Sequence, residues 1–147
     1  MLRSFLRYLF FLSLTVHSEF SASQNGVEVN GFCQNLVING IDISSECSKK
    51  VQRFDFENGR INYWFTTHNK QIIVFSGSDE DGIKGANFFS RFVLDKIYVN
   101  EREYIIDGSC STLGNTEFGV TISCRSADNK RKFSALFFSQ NDSRLIK

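Results

Sequence analysis

Long apolar runs and a strong charge of either sign are both missing from this chain. Its 147 residues carry 17 Lys and Arg against 16 Asp and Glu, a formal net charge of +1. Nucleic-acid-binding domains usually have a large basic excess, so we expect no nucleic-acid partner. The longest apolar run, residues 8–16, is about half of the ~20 residues that a membrane-spanning helix needs. We therefore predict no membrane span.

The residues that carry most enzyme chemistry are also scarce. The chain has two His, and a catalytic triad in the body of the chain would have to use His68. There is no G-x-S-x-G motif, no glycine-rich phosphate loop, and no C-x-x-C pair with a neighbouring His. We expect no enzyme activity, no cofactor and no bound metal. A hydrolase that uses His68 is kept as an alternative.

The first residues have the layout of a secretory leader. Arg3 and Arg7 precede the short apolar run, and the small residues Ser21-Ala22-Ser23 follow it. A positive start, a short apolar centre and small residues at the cleavage site are typical of a signal peptide. We predict that residues 1–23 are this peptide and that the mature chain is periplasmic or secreted.

Four cysteines follow the predicted leader: Cys33, Cys47, Cys110 and Cys124. An even number of cysteines in an exported domain indicates disulfide bonds. Four cysteines allow three pairings. We predict Cys33–Cys47 and Cys110–Cys124, because both pairs have the same spacing and each flanks a turn signal, such as Asn39-Gly40 in the first pair.

One β-hairpin has a strong signal. Two alternating apolar segments, residues 54–56 and 61–65, flank Asn58-Gly59, and Asn-Gly between such segments is typical of a tight hairpin turn. A turn at this dipeptide pairs Phe56 with Ile61 and Phe54 with Tyr63. The opposite face of the hairpin then carries Asp55, Asn62 and Trp64.

Further short segments with strand composition are joined by polar turns. They are residues 27–37, 71–75, 92–99, 103–107, 110–114, 117–125 and 132–138. About eight antiparallel strands without a long helix predict an all-β fold, either a small barrel or a sandwich, with two disulfides. Residues 90–95 are also compatible with the end of a short helix that begins near Ala86. We predict one β domain over residues 24–140 and a frayed polar tail over residues 141–147.

Two features are candidate binding residues. The polar segment Ser76–Asn87 contains three consecutive acids, Asp79, Glu80 and Asp81. Recognition residues concentrate in loops on rigid scaffolds, and these acids would suit a basic partner. Trp64, placed on the polar face of its hairpin, is the other candidate, because exposed aromatic residues often mark contacts.

Four short segments carry a resemblance: residues 59–63, 74–77, 108–110 and 122–124. They resemble a group of small, uncharacterised exported proteins of alphaproteobacteria, which implies a β fold and a periplasmic location. In overall plan the chain is also similar to the periplasmic lysozyme inhibitors of the small β-barrel type. This likeness is architectural, and a shared fold does not by itself imply a shared function.

The sequence therefore favours an exported, disulfide-stabilised, non-catalytic binding or inhibitory module, and it does not indicate the ligand. We expect a protein partner in the cell envelope, and the sequence indicates no particular oligomeric state. An accessory component of an envelope or secretion assembly, with Trp64 in the contact, is a second alternative beside the hydrolase.

Overall fold

The computed structural model describes residues 24–79, 89–115, 119–128 and 131–146, and nearly all of these residues lie in β-strands. One short 3-10 turn, Ser44–Glu46, interrupts the described strands. The strands are β1 (Gln24–Ile38), β2 (Ile41–Asp42), β3 (Cys47–Phe56), β4 (Arg60–Thr67), β5 (Ile72–Ser78), β6 (Phe89–Val99), β7 (Arg102–Asn115), β8 (Gly119–Ser126) and β9 (Ser134–Ile146).

Eight of these strands close into an antiparallel barrel. Each of the strands β3 to β9 pairs with its neighbour in the chain, and β1 pairs with both β3 and β9. The two-residue strand β2 only folds back onto the end of β1. The all-β prediction is confirmed, and of the two predicted forms, a barrel and a sandwich, the structure is a barrel. Closure leaves no free edge among the eight strands, which removes the usual route to edge-to-edge association.

The β3–β4 hairpin turns through a three-residue loop and not through the predicted two-residue turn. The backbone N–H of Gly59 donates to the carbonyl oxygen of Phe56 over 3.0 Å, and Gly59 has a φ of 80°. A left-handed glycine at the end of such a loop is a common way to close a three-residue hairpin. Asp55 therefore lies opposite Ile61, and the predicted register, which paired Phe56 with Ile61, is wrong by one residue.

A shift of one residue exchanges the two faces of a strand. Phe54 points outwards, where its ring lies 5.1 Å from that of Trp64 in an edge-to-face contact. Arg53 and Asp55 occupy the inner face instead. Asn62 lies on the outer face with Trp64 as predicted, since the alternate residues of β4 form part of the core.

Two other expectations are corrected. β6 begins at Phe89, so residues 90–95 do not end a helix, and Ala86 lies outside the described residues. Residues 141–146, predicted as a frayed tail, continue β9 and pair with β1, for example Leu145 with Val27. The first half of β1 pairs with β3 on one side, and closure of the barrel requires a partner on the other side. The end of β9 supplies that partner.

Aromatic and branched side chains from most strands fill the interior. In an eight-stranded barrel the inner side chains are just large enough to fill the lumen. The largest fully buried ones include Tyr63, Phe65, Phe75, Leu94, Ile97, Ile122 and Phe137. The barrel is therefore a packed core along most of its length.

Both predicted disulfides are confirmed. Cys33–Cys47 joins β1 to β3 with a Cα–Cα distance of 6.0 Å. Cys110 and Cys124 lie directly opposite each other in β7 and β8, with a Cα–Cα distance of 4.0 Å. Two disulfides are typical of proteins that fold in an oxidising compartment.

The predicted signal peptide, residues 1–23, lies outside the described residues. In the part of the chain that the structure describes, no helix combines the length and apolar character that a membrane crossing requires.

Candidate functional site

A groove runs over the outer wall of the barrel, across β3 to β6, with a volume of about 620 Å³. We call it the outer groove and define it by Phe56, Asn62, Trp64, Ile72, Val74 and Tyr98. The strands place these side chains on one surface because alternate residues of neighbouring strands point to the same side of a sheet. Trp64, a candidate contact from the sequence, lies in this groove.

Strand β5 explains why the wall is concave here. Its residues 73–77 are buried on both the inner and the outer face. On the outer face Val74 is 7% exposed and Ser76 is 2% exposed. Long side chains of the neighbouring strand β4 lie against this part of β5, as long amphipathic side chains often do: Arg60 Nη2 donates to Ser76 Oγ, and Trp64 is the cross-strand neighbour of Val74. β5 therefore forms the floor of the groove and its neighbours form the walls.

Two residues that line the groove each carry a buried polar atom without a hydrogen-bond partner among the described residues: the indole Nε1 of Trp64 and the amide Oδ1 of Asn62. Both residues point outwards from β4, two positions apart. Leaving a buried donor or acceptor unsatisfied costs about 1–3 kcal/mol. Native proteins carry few such groups. The pair is therefore an energetic cost to the protein, and because both atoms are covered by protein, a ligand in the groove does not reach them in this structure.

The positive charge beside the groove is already paired. Arg60 binds Asp95 through two hydrogen bonds, Nη2 to Oδ1 at 2.7 Å and Nη1 to Oδ2 at 3.1 Å. Its Nη2 also donates to Ser76 Oγ at 2.7 Å. The hydrogen bond with Asp95 raises the pKa of Arg60, and the same bond lowers the pKa of Asp95. The two charges offset each other at the groove.

At the end of the groove near Tyr98, polar side chains also have hydrogen-bond partners within the protein. Burial, followed by a hydrogen bond with Glu103, raises the pKa of Tyr98. Asn100 accepts a hydrogen bond from the backbone N–H of Ile72 at 3.0 Å through its Oδ1. Glu101 lies exposed at this rim. Tyr98 and Asn100 therefore have hydrogen-bond partners within the protein, whereas Trp64 Nε1 and Asn62 Oδ1 have none among the described residues.

A polar network lies inside the barrel on the other side of β3 and β4. Arg53 donates from Nε to Asp55 Oδ1 at 2.9 Å, and from Nη1 to Tyr63 OH at 3.2 Å and Ser90 Oγ at 3.1 Å. Tyr63 OH in turn shares a hydrogen bond with Thr112 Oγ1. The sequence analysis did not identify Arg53 as an interior residue, because its inward direction follows from the three-residue loop and not from the predicted register.

Asp79 lines a second pocket, at the mouth of the barrel, with a volume of about 570 Å³. Its backbone N–H donates to the carbonyl oxygen of Gly59 over 3.2 Å. Phe56 and Arg60 line both this pocket and the outer groove, so the structure brings Asp79 and Trp64 to adjoining sites. Glu80 and Asp81 lie outside the described residues.

His68 is exposed in the β4–β5 turn, at the opposite end of β4 from the Gly59 loop. Its backbone N–H donates to the carbonyl oxygen of Glu46 at 2.8 Å. The described residues supply no hydrogen bond to its imidazole ring. Nor do they contain a group of three or more His, Cys, Asp and Glu placed to hold a metal ion.

The chain matches no protein-family model, no curated protein and no solved structure. Within the described residues, the unsatisfied pair on β4 is the feature that internal packing does not account for.

Proposed function

We propose that this protein is an exported, non-catalytic binding module of the cell envelope whose ligand lies in the outer groove. One observation carries the proposal: the outer groove combines an apolar wall that includes Trp64 with amide side chains such as that of Asn62. Concave sites with apolar walls and a few directed polar groups are the usual form of a ligand site.

The scaffold supports a binding role. The groove lies on regular strands of a closed sheet, and strands hold side chains more firmly than loops do. Asp79 remains a candidate second contact, because its pocket shares Phe56 and Arg60 with the groove. Glu80 and Asp81, which lie outside the described residues, stay candidate contacts on the sequence alone.

Binding is preferred to hydrolysis because His68 lies in a turn away from the groove, and no described side chain orients its ring. A general base needs a partner that fixes its direction.

The location is also part of the proposal. The leader pattern of residues 1–23 and the two disulfides support a periplasmic or secreted protein. Expression of the full chain in a Gram-negative host should release a product that starts at Gln24 and has no free thiol. Recovery of the full-length chain in the cytosol with reduced cysteines would contradict the location.

The unsatisfied amide of Asn62 predicts opposite effects for two substitutions on the same face of β4. Asn62→Leu keeps the shape of the side chain and removes the unsatisfied amide, so the free energy of unfolding should rise by about 1 kcal/mol. Thr66→Val is the matched control. Thr66 shares a hydrogen bond with Ser48 Oγ at 2.9 Å, so its loss should lower the free energy of unfolding by about 1 kcal/mol. Urea titration measures both changes.

The same two variants, immobilised as mature protein, test the site. Envelope components retained by the wild-type protein should still bind Thr66→Val and should be lost from Asn62→Leu. The proposal is wrong if Asn62→Leu retains the same components as the wild type. If Asn62→Leu is destabilised like Thr66→Val, the amide has a native partner and is not an unsatisfied group.

A second candidate, an accessory component of an envelope or secretion assembly, rests on the opposite wall. Phe32, Phe138, Thr121 and Leu113 lie in lateral register across β1, β9, β8 and β7. Phe32 is 49% and Leu113 is 54% exposed, and the rings of Phe32 and Phe138 stack at 5.3 Å. In the same capture experiment, components lost from Leu113→Ser but kept by Asn62→Leu would favour this candidate.

A further inference from the structure

Another pocket lies on the outer wall where β1, β9 and β8 run side by side, and it has a volume of about 460 Å³. We call it the basic pocket and define it by Asn35, Ser123, Arg125, Lys132 and Ser134. Arg125 lies directly opposite Ser134 in the β8–β9 pairing, and Lys132 belongs to the loop between these two strands. Arg125 and Ser134 point outwards, because their neighbours along each strand belong to the core. The pocket is therefore separate from the outer groove on β3 to β6.

The basic pocket has an excess of positive charge. Arg125 and Lys132 are both exposed, and neither has an ion pair with a described residue. The acid among the described residues that line the pocket is Asp128, which has an interaction of its own within the protein. Arg53 and Arg60, which line the pocket at the barrel mouth, each have a carboxylate partner. The two cations of the basic pocket therefore remain available to an anion.

Hydrogen bonds fix the backbone of the loop that carries Lys132. The carbonyl oxygen of Lys132 accepts from the backbone N–H of Gly40 over 2.9 Å. Ser126 closes the loop, because its backbone N–H donates to the carbonyl oxygen of Phe133 at 2.9 Å. The hydroxyl of Ser126 also donates to the carbonyl oxygen of Arg131 at 2.9 Å. A ligand that binds to a preorganised site loses less affinity to the ordering of the protein.

Hydroxyl groups add neutral donors beside the two cations. Ser134 Oγ accepts a hydrogen bond from Nδ2 of Asn35 at 2.6 Å, and a hydroxyl that accepts in this way keeps its own O–H to donate. Ser123 supplies a second hydroxyl to the pocket. The planar fork of an arginine binds phosphate through two parallel hydrogen bonds. A phosphate group offers three strong acceptor oxygens, whereas a carboxylate offers two, so phosphate uses more of these donors.

We infer that the basic pocket binds a phosphate group, with Arg125 and Lys132 as its cations and the hydroxyls of Ser123 and Ser134 as donors. This site goes beyond the proposed function, because it involves no residue of the outer groove. Inorganic phosphate, phosphorylated solutes and phospholipid headgroups all carry this chemistry, and the experiment separates the free ion from the lipid.

The test is a titration of the isotope-labelled mature protein with inorganic phosphate at pH 7, followed through backbone amide NMR shifts at constant ionic strength. The amides of Arg125, Lys132 and Ser134 should shift in a saturable way, with a Kd below about 10 mM. Acetate, which carries a carboxylate, should bind at least tenfold more weakly.

Variants connect binding to the pocket. Arg125→Gln combined with Lys132→Gln should weaken phosphate binding at least tenfold. The matched control combines Lys50→Gln with Lys96→Gln, which removes two cations paired with Glu28 and Glu103 elsewhere on the wall. This control should bind phosphate as the wild type does.

Vesicles identify the source of the phosphate group. Cosedimentation with vesicles of phosphatidylglycerol and phosphatidylcholine, lost when Arg125 and Lys132 are both replaced, would assign the site to a lipid headgroup. Binding of inorganic phosphate without cosedimentation would assign it to a soluble phosphate. The inference is overturned if neither probe binds, if acetate binds as tightly as phosphate, or if the Arg125/Lys132 variant binds as the wild type does. The capture experiment with Asn62→Leu tests the outer groove independently of these results.

Discussion

The two disulfides allow a quantitative prediction, because they close loops of equal length in different surroundings. Each bridge joins cysteines with a sequence separation of 14. The chain-entropy relation for such a loop gives about 10 cal/mol/K, or about 3 kcal/mol at 25 °C. Removing either bridge by paired Cys→Ala substitution should therefore lower the free energy of unfolding by about 3 kcal/mol from this effect.

Packing should separate the two variants. Cys110 and Cys124 are 0% and 1% exposed, so alanine at both positions leaves space in the core. Cys33 is partly exposed and Cys47 is 7% exposed, so alanine there leaves less. With about 0.8 kcal/mol for each buried methylene-sized group, the Cys110/Cys124 variant should lose about 4–5 kcal/mol and the Cys33/Cys47 variant about 3–4 kcal/mol.

Urea unfolding without reductant, followed by Trp64 emission, measures both losses. The two loops do not overlap in the chain, so the losses should add in the fourfold alanine variant. That sum approaches the total stability of many domains, ~5–15 kcal/mol, and the fourfold variant should be barely folded at 25 °C. The reasoning is refuted if the Cys33/Cys47 variant loses more than the Cys110/Cys124 variant, or if either loses less than about 1 kcal/mol.

Two further predictions concern the barrel wall. Gly77→Ala should lower the free energy of unfolding by more than ~3 kcal/mol, because its Cβ would lie 1.9 Å from the backbone oxygen of Val93. Gly40 has a φ of +84° but open space around it, so Gly40→Ala should cost only about 1 kcal/mol. Equal losses in urea titration would contradict this difference. Arg60 lowers the pKa of Asp95, so their pair adds stability above the unfolded pKa near ~3.9 and loses it as the pH falls through the lower folded value. The Asp95 side chain is 42% exposed, so the pair should contribute less than ~1 kcal/mol to the free energy of unfolding. Between pH 7 and pH 3 this free energy should therefore fall further in the wild type than in Asp95→Asn, by less than that amount. Equal losses would show that the pair does not contribute.

The hairpin of β3 and β4 shows where prediction from the sequence worked and where it stopped. Alternating apolar residues around Asn58-Gly59 correctly indicated two antiparallel strands and the outward direction of Trp64. They did not indicate whether the loop has two or three residues, which depends on the backbone conformation at Gly59. That single choice moved Phe54 outside and placed Arg53 inside the barrel.

The sequence likewise indicated only part of the outer groove. Trp64 was a candidate from its position on the polar face of one hairpin. Asn62 was placed beside it, but no pattern indicated that its amide lacks a partner, because this depends on what β3 and β5 place next to it. The depth of the groove depends on β5, whose outer residues Val74 and Ser76 are buried beside long side chains of β4.

The sequence by itself determined the properties that arise between near neighbours in the chain. These are the strand composition and the pairing of each cysteine with the nearest one along the chain, both of which depend on short separations and local turns. The tertiary structure alone decided the closure of the barrel and the composition of the groove. Closure requires β1 to pair with β9, about a hundred residues later in the chain, and no local pattern encodes such a contact. The groove requires the registers of four strands at once, and one residue of slip in any of them would place different side chains on its surface.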